Sequence, residues 1–399
     1  MQLTPEHTSL FDTTKKFVEE QINPHVAEWE REGRWPAREV LKKMGNLGLL
    51  GIAKPESVGG LGLDYSYQIA FAEALGACKV GGIPMAIGVQ TDMATPALAR
   101  FGSDYLKENF LKPAVAGDMV ACIAVSEPGA GSDVAGIKTT AVRQGDEYVI
   151  NGQKMWITNG TQGDWACTLV NTGDQSMAGA ASGPGGAAGG KHSNKSLIVI
   201  PLDAKGVDRK TKLDKLGQRS SDTAIIFFDN VRVPAKNLIG EEGKGFSYQM
   251  QQFQEERLFL AASIILAMEN CVDETAVYTR SRNAFGQTIL DNQVVQFRLA
   301  QLKTELEALR ALTYRAVGLM LKGEDVTLLA SMAKLKAGQL GREVPDACLQ
   351  YWGGQGYMWE NTVSQMYRDL RLHAIGGGAD EVMLGIISKR LGYGGKKKA

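Results

Sequence analysis

This sequence is poor in the residues that build metal centres and disulfide frameworks. Its 399 residues include only 5 cysteines and 4 histidines. The cysteines are odd in number and lie far apart in the chain: Cys78, Cys122, Cys167, Cys271 and Cys348. That distribution predicts reduced thiols in a reducing compartment. The histidines show no HExxH pattern or paired spacing, so we expect no zinc site, and difficult redox chemistry would require an organic cofactor.

An excess of one charge sign is missing as well. The 44 basic side chains balance 44 acidic ones, so no net field draws the protein to nucleic acid or to a membrane surface. The one basic cluster, Lys396, Lys397 and Lys398, is too short for a nucleic-acid arm, and we interpret it as a solvated tail.

No apolar run approaches the length of a transmembrane helix. Residues 1–10 contain neither the apolar core of a signal peptide nor the Arg- and Ser-rich composition of a transit peptide. We therefore expect a protein that works where it is made, or a mature form whose leader has been removed.

The periodicity of the apolar residues changes twice along the chain. Residues 5–117 have helical spacing, residues 120–228 contain short β-branched runs separated by Asn-Gly and Gly-Asp turns, and the remainder is rich in Leu, Ala, Glu, Lys and Arg. This order predicts an α+β fold with an N-terminal helical domain (1–118), a middle small antiparallel β-barrel or sandwich (119–240) and a C-terminal four-helix bundle (241–399).

One stretch inside the β region has an unusual composition. Residues 178–190 are almost wholly Gly, Ala, Ser and Pro, and such a segment buries too little apolar surface to offset its ordering entropy. We interpret residues 172–196 as a flexible, dispensable hairpin loop rather than a domain linker.

Two motifs lie in the β region. Residues 126–133 read Ser-Glu-Pro-Gly-Ala-Gly-Ser-Asp, a strand followed by a Gly-rich turn whose backbone N–H groups can approach an anion or a flat ring. Residues 151–160 follow with Asn-Gly-Gln-Lys-Met-Trp-Ile-Thr-Asn-Gly. Taken alone, the first motif is an ordinary turn and Trp156 a core tryptophan.

Three further motifs lie in the C-terminal half. Residues 280–287 read Arg-Ser-Arg-Asn-Ala-Phe-Gly-Gln at the break between two long helical stretches, and residues 350–354 read Gln-Tyr-Trp-Gly-Gly. Near the end, Arg368-Asp369 precedes the run Ile-Gly-Gly-Gly-Ala-Asp-Glu at 375–381. In this order and spacing, the five motifs resemble the acyl-CoA dehydrogenase family over essentially the whole chain.

The resemblance implies an FAD site with defined contacts. Val125 and Ser126 would touch the isoalloxazine, Trp156 would cover one edge of the flavin, and Thr158 would lie near its N5. Arg282 and Phe285 would meet the pyrophosphate and adenosine half of a neighbouring subunit's FAD. The full set of implied FAD contacts is Ile123, Val125, Ser126, Gly131, Trp156, Thr158, Arg282, Phe285, Gln350, Gly353, Gly354, Ala379 and Glu381. Implied acyl-CoA contacts are Ser132, Arg257, Ile375 and Gly376.

The chain departs from the family where the catalytic residue is usually found. Most members carry their catalytic glutamate at the position of Gly377, but a minority, including isovaleryl- and long-chain-type enzymes, place it on an earlier helix in the sequence Glu-Arg-Leu. Glu256 followed by Arg257 and Leu258 matches that sequence, although a Glu-Glu-Arg triplet is by itself typical of a solvated helix face. The resemblance therefore implies that Glu256 is the base and that the Gly377 N–H binds the thioester carbonyl.

Several neighbouring residues follow from this assignment. Adjacent carboxylates on a helix point about 100° apart, so we expect Glu255 to face away from the site. We interpret Asp380 and Glu381 as helix N-terminal carboxylates rather than bases. Moving the carboxylate from Glu256 to position 377 is expected to restore part of the activity.

The function implied is FAD-dependent α,β-dehydrogenation of a medium-chain, long-chain or branched acyl-CoA. The 375–383 run also resembles citronellyl-type dehydrogenases. Implied partners are an electron-transfer flavoprotein and further copies of the chain in a homotetramer, in the cytoplasm of a bacterium or the mitochondrial matrix of a eukaryote. Two alternatives are a catalytically inactive flavin-binding scaffold and an acyl-CoA oxidase, whose chains are usually much longer. Family members commonly have Thr at the positions of Ala284 and Ala379, so hydrogen bonds to FAD are expected to be missing there.

Overall fold

The N-terminal region is helical, as the sequence predicts. The computed structural model describes residues 3–172 and 194–393, so the stretch 178–190 and the lysines near the C-terminus lie outside the described residues. The helices are α1 (Pro5–Phe17), α2 (Val26–Glu32), α3 (Ala37–Asn46), α4 (Tyr65–Leu75), α5 (Gly82–Gly88), α6 (Pro96–Phe101), α7 (Asp104–Leu106) and α8 (Lys112–Val115). In α3, Val40, Leu41 and Met44 are buried at helical spacing, which fixes the face that packs on the core.

The middle region is one eight-stranded sheet. Its strands are β1 (Ala121–Ala124), β2 (Thr140–Gln144), β3 (Glu147–Thr158), β4 (Trp165–Asn171), β5 (Lys195–Pro201), β6 (Val207–Asp208), β7 (Thr223–Pro234) and β8 (Leu238–Ile239). They lie in the order β6-β7-β3-β2-β4-β5-β8, with β1 paired to β4.

The sheet is not wholly antiparallel, so that part of the sequence prediction is wrong. Strand β4 pairs parallel with both β1 and β2, while β4–β5 and β3–β7 are antiparallel. The turn signals in the sequence favour hairpins, but β1 reaches β4 through intervening chain, and such a connection permits parallel pairing. Strand β4 is buried along all but its last residue, a pattern from which periodicity alone does not identify a strand.

The C-terminal region is a helical bundle with two appended helices. Its elements are α9 (Gly245–Ala262), α10 (Ile265–Ser281), β9 (Asn283–Ala284), β10 (Gln287–Thr288), α11 (Gln293–Met320), α12 (Thr327–Trp352), α13 (Thr362–Leu370) and α14 (Asp380–Arg390). The helical segment from Gly245 to Ser281 is divided at Ser263 and Ile264, and this break supplies the fourth helix of the predicted bundle.

Asp369 joins the three regions at one point. Its buried carboxylate accepts hydrogen bonds from the backbone N–H of Gly81 at 2.7 Å and from the N–H of Gln218. It also accepts one from the side chain of Gln365 at 2.9 Å. Asn159, which follows β3, donates to the carbonyl of Ala86 in α5 at 3.0 Å. These bonds fix α13 against the N-terminal helices and the segment before β7, and fix the chain after β3 against α5.

Within the described residues, no helix is both long enough and apolar enough to cross a membrane. The same residues contain no cluster of His, Cys, Asp or Glu arranged to hold a metal ion. The boundaries of 1–118, 119–240 and 241–399 stay a prediction.

Candidate active site

Glu255 and Glu256 point in different directions from α9. Glu255 forms an ion pair with Arg100, and its backbone carbonyl accepts a hydrogen bond from Tyr65 at 2.9 Å. Glu256 is buried. The 100° turn between successive helical residues produces this division, so only Glu256 is directed into the interior.

The surroundings of Glu256 raise the pKa of its carboxyl group toward neutral pH. Burial raises the pKa of the Glu256 carboxyl to about 7, and the Asp92 carboxylate adds to the rise. The cations of Arg257 and Lys334 act in the opposite direction but do not cancel the effect of burial. A carboxyl whose pKa lies near the working pH is suited to accept a proton as a general base.

Gly377 lies beside this carboxylate in a turn between α13 and α14. Its φ of +64° favours glycine, and a Cβ added there would lie 2.1 Å from Leu260 Cδ1 and 3.6 Å from Glu256 Oε1. Among the described residues, the Gly377 N–H has no hydrogen-bond partner, whereas Gly376 N–H donates to the carbonyl of Leu372 at 2.8 Å. The turn thus presents a free N–H next to the buried carboxylate.

The other two carboxylates of this segment are occupied elsewhere. Asp380 begins α14, is buried, and forms an ion pair with Arg342 at 2.8 Å. Glu381 is exposed in the first turn of the same helix. Both positions agree with helix N-terminal carboxylates, which the helix dipole stabilises.

The two motifs of the β region lie side by side. The carbonyl of Ser126 accepts a hydrogen bond from the N–H of Met155 at 3.0 Å, and the carbonyl of Val125 accepts one from Lys154 Nζ at 2.9 Å. The chain leaving β1 therefore runs along β3 at residues 154–155, just before Trp156 and Thr158.

Trp156 is not a core tryptophan. The pairing of β3 with β7 shifts register between Lys154 and Ile157, and Trp156 within that bulge has a φ of +61°. Its side chain is 52% exposed. A bulge re-aims the side chains of a strand, and here it turns the indole outward beside Ser126.

A second group of predicted contacts lies where α10 and α12 end. Phe285 and Gly286, with φ of +52° and +83°, form the two-residue turn of the β9–β10 hairpin, and the Phe285 ring is fully exposed. The last turns of the two helices are held together by Tyr278 and Trp352, whose rings stack with centroids 4.0 Å apart. Arg282, Gln350, Gly353 and Gly354 are exposed at this end of the bundle.

The remaining predicted residues divide between these surfaces. Ile123 is half-buried in β1, and Gly131 and Ser132 are exposed in the turn after it. Arg257 is buried next to Glu256, with its Nε lacking a partner among the described residues and its Nη1 at 3.5 Å from Ser331 Oγ. Ile375, Gly376 and Ala379 lie in and after the turn that contains Gly377.

Sequence reasoning missed four buried charged residues near these surfaces. Lys154 pairs with Glu127 at 2.9 Å in the first two motifs, Asp92 accepts hydrogen bonds from Tyr65 and Gln68, and Lys334 lies fully buried in α12. Asp92 and Lys334 carried no usable signal, because each is a single charge in a helical segment. The sequence pair Glu127 and Lys154, inside recognised motifs, was the one detectable signal.

Comparison with known families supports the same interpretation over the whole chain. The models of the acyl-CoA dehydrogenase N-terminal, middle and C-terminal domains match residues 4–118, 122–231 and 243–392. The mitochondrial long-chain specific acyl-CoA dehydrogenase of Sus scrofa is 37% identical over 388 residues, which cover 97% of this chain and 86% of that protein. The mitochondrial short-chain specific acyl-CoA dehydrogenase of Mus musculus is 34% identical over 392 residues, covering 98% and 91%.

Solved structures with this fold include both dehydrogenases and an oxidase. A probable acyl-CoA dehydrogenase from Mycobacterium abscessus has a TM-score of 0.90 and 39% identity, with 97% of this chain and 99% of that chain covered. The prolyl acyl carrier protein oxidase AnaB has a TM-score of 0.90 and 26% identity, with 98% and 100% covered. An oxidase of nearly the same length therefore exists, so chain length alone does not exclude an oxidase.

Proposed function

Because this chain belongs to the acyl-CoA dehydrogenase family, we propose that it oxidises an acyl-CoA thioester to the trans-2-enoyl-CoA with Glu256 as the base. The observation that carries the proposal is the buried carboxylate of Glu256, whose Oε1 lies 3.6 Å from the point where a Cβ of residue 377 would stand. Gly377, where most family members carry the catalytic glutamate, is thus adjacent to the carboxylate that α9 supplies.

The chain's own residues account for the removal of the α-proton. Glu256 accepts that proton, and its pKa of about 7 makes it a stronger base than an ordinary glutamate. As the C–H bond breaks, negative charge moves onto the thioester oxygen, and we assign the Gly377 N–H, which has no partner among the described residues, as the hydrogen-bond donor to it. Gly377 is exposed in the structure, so a bound acyl-CoA would have to cover it; a fixed donor in a site closed to water stabilises such charge far more than water does.

The surfaces described above fit FAD. The outward-turned indole of Trp156 offers a flat apolar edge, Ser126 and Thr158 offer hydrogen-bonding groups beside it, and the exposed Phe285 ring offers a second face. A Cβ at Gly353 or at Gly354 would meet no atom within 4 Å, which leaves room for close approach of a cofactor to the backbone. When bound, FAD would supply the hydride acceptor for the β-hydrogen of the acyl-CoA.

We further propose that the group around Phe285 serves a neighbouring subunit. A fully exposed aromatic ring beside an exposed Arg282 is costly to leave in water and is suited to an interface or a cofactor. A homotetramer in which subunits share FAD sites accounts for both residues, and sedimentation of the FAD-loaded protein tests it.

For the substrate, we propose a medium-chain, long-chain or branched acyl-CoA. The support is the placement of the base on α9, as in the long-chain and isovaleryl-type enzymes that the motif resembles. The relatives named above include one long-chain and one short-chain specific enzyme. A panel of acyl-CoAs read as loss of flavin absorbance under anaerobic conditions tests both the reaction and its preference.

We propose an electron-transfer flavoprotein as the electron acceptor. Reoxidation of the reduced protein by such a flavoprotein should be much faster than reoxidation by oxygen. Hydrogen peroxide formed in a one-to-one ratio with enoyl-CoA would identify an oxidase instead. Absence of flavin bleaching with every acyl-CoA tested, in a protein that holds FAD, would favour the scaffold.

A further inference from the structure

Lys334 lies in the middle of α12, and its side chain is completely buried. Its Nζ donates hydrogen bonds to two backbone carbonyls, those of His373 and of Gly378, the second at 2.6 Å. One turn further along α12, Gly338 has no side chain, and a Cβ there would lie 3.1 Å from the carbonyl oxygen of His373. The segment 373–378 therefore lies directly against this helix.

The two carbonyls flank the turn that carries Gly377. One lies four residues before Gly377 and the other belongs to the residue after it, so a single ammonium ties both ends of the turn to α12. The N–H of Gly377 is presented between these two points. A displacement of about 1 Å in a group that contacts the reacting atoms can reduce the rate by roughly 10².

The charge of Lys334 also acts on the base. The charged groups that face it are Asp380, Glu256 and Arg257, while His373 stays neutral because burial and Lys334 lower its pKa to about 3. Burial lowers the pKa of Lys334 to about 8, so the side chain is still largely protonated at neutral pH. Glu256 itself is faced by Arg257, Lys334 and Asp92.

A completely buried lysine is expensive, because an ammonium loses its hydration when it leaves water. A methionine would fill much of the same space without that cost, so retention of a charge next to the base and the turn points to a role in the reaction.

We propose that Lys334 is a positioning residue for the dehydrogenation: its ammonium ties both ends of the turn to α12 and so holds the Gly377 N–H in place beside Glu256. This inference rests on the proposed function, since it assumes that Glu256 removes the α-proton.

The test compares Lys334→Met and Lys334→Gln with Lys336→Met in the FAD-loaded protein. Lys336 lies on the same helix, is partly exposed and pairs with Glu305, so its replacement is the matched control. Two readouts are measured: the pH dependence of kcat/KM with the best acyl-CoA, and the exchange of α-hydrogen for deuterium in a bound 3-thia-acyl-CoA. That analogue has an acidic α-C–H but no β-C–H, so exchange reports proton removal without hydride transfer.

In Lys334→Met we expect kcat and the exchange rate to fall roughly ten- to hundredfold, with acyl-CoA affinity nearly unchanged. We also expect the acid limb of kcat/KM to move to higher pH, because a cation that lowers the pKa of Glu256 has been removed. Lys334→Gln keeps hydrogen-bond donors but loses the charge, so it should show the same shift with a smaller loss of rate.

If Lys334→Met does not fold, the pH dependence of kcat/KM in Lys334→Gln tests the proposal instead. An unshifted acid limb in Lys334→Gln, or wild-type kcat and exchange in Lys334→Met, overturns the role of Lys334 alone. If the wild-type protein neither exchanges the analogue nor oxidises any acyl-CoA, the proposed function fails and this inference fails with it.

Discussion

Oε1 of Glu256 lies 3.6 Å from the point where a Cβ of residue 377 would stand. Residue 377 is 121 positions later in the chain and lies in a turn, whereas Glu256 lies on a helix. Two elements therefore converge on one small volume, and in this chain the carboxylate enters it from α9. The backbone N–H of Gly377 is unaffected by which element supplies the carboxylate.

The pKa of Glu256 predicts how turnover depends on pH. A base acts only when it is deprotonated, and burial raises the pKa of this carboxyl to about 7, so kcat/KM should rise with pH and level off above that value. The control is Glu255→Gln. Glu255 pairs with Arg100, outside the site, so its replacement should not move the acid limb of the pH profile. A profile that is flat through neutrality would argue against Glu256 as the titrating base.

Moving the carboxylate to residue 377 requires a third substitution in this structure. The exchange of Glu256→Gly with Gly377→Glu alone would bring a Cβ to 2.1 Å from Leu260 Cδ1, at a backbone φ of +64°. Adding Leu260→Ala removes the clash, although the left-handed backbone still costs on the order of 1–3 kcal/mol. We expect the triple variant to recover part of the turnover that Glu256→Gly with Leu260→Ala lacks.

The measurement for this exchange is flavin reduction by acyl-CoA in the double and triple variants. Equal rates in the two, with FAD content and acyl-CoA binding preserved in both, would show that a carboxylate at 377 does not reach the α-carbon.

Gly354 offers a test of FAD binding that does not depend on activity. A Cβ there meets no atom within 4 Å, so Gly354→Val should fold as a single chain but obstruct a cofactor that approaches the backbone. We expect little change in far-UV circular dichroism and a large loss of bound flavin per chain. Gly385→Val, at another open and exposed glycine on α14, should keep its flavin; full flavin content in Gly354→Val would contradict the placement of FAD.

The segment 178–190 is expected to be dispensable. The flanking strands β4 and β5 are already joined by the hydrogen bond from Thr172 N–H to the carbonyl of Asn194 at 2.9 Å. A short turn can therefore close the hairpin without disturbing the sheet, and FAD content and turnover should stay near wild type. Loss of turnover with an electron-transfer flavoprotein but not with an artificial dye would instead assign this segment to partner binding.

The order of the helical, β and helical regions could be predicted from the sequence because apolar periodicity depends on neighbouring residues. Apolar periodicity distinguished helices from strands. Helix geometry indicated that only one of Glu255 and Glu256 can face the site, and the match of Glu256-Arg257-Leu258 to the family sequence selected Glu256. Strand β4 was missed because its buried run resembles any short apolar segment, and its parallel pairing depends on partners distant in the chain.

Buried charges were the features that sequence reasoning did not reach. Lys334 acts through the carbonyls of His373 and Gly378, which are about 40 residues away and present no side-chain signal. Likewise, the outward turn of Trp156 depends on a register shift between β3 and β7, which no local pattern in β3 reveals. Both are properties of tertiary packing.

The most direct test of the central claim is the rate at which an acyl-CoA bleaches the flavin of Glu256→Gln in a single anaerobic turnover. The amide has nearly the shape of the carboxylate but is not a base, so FAD and acyl-CoA should bind normally while bleaching slows by at least roughly 10²–10⁴. Glu255→Gln, one residue away, should bleach at nearly the wild-type rate. Normal bleaching in Glu256→Gln, above all if Asp380→Asn or Glu381→Gln bleaches slowly, would contradict the assignment of Glu256 as the base.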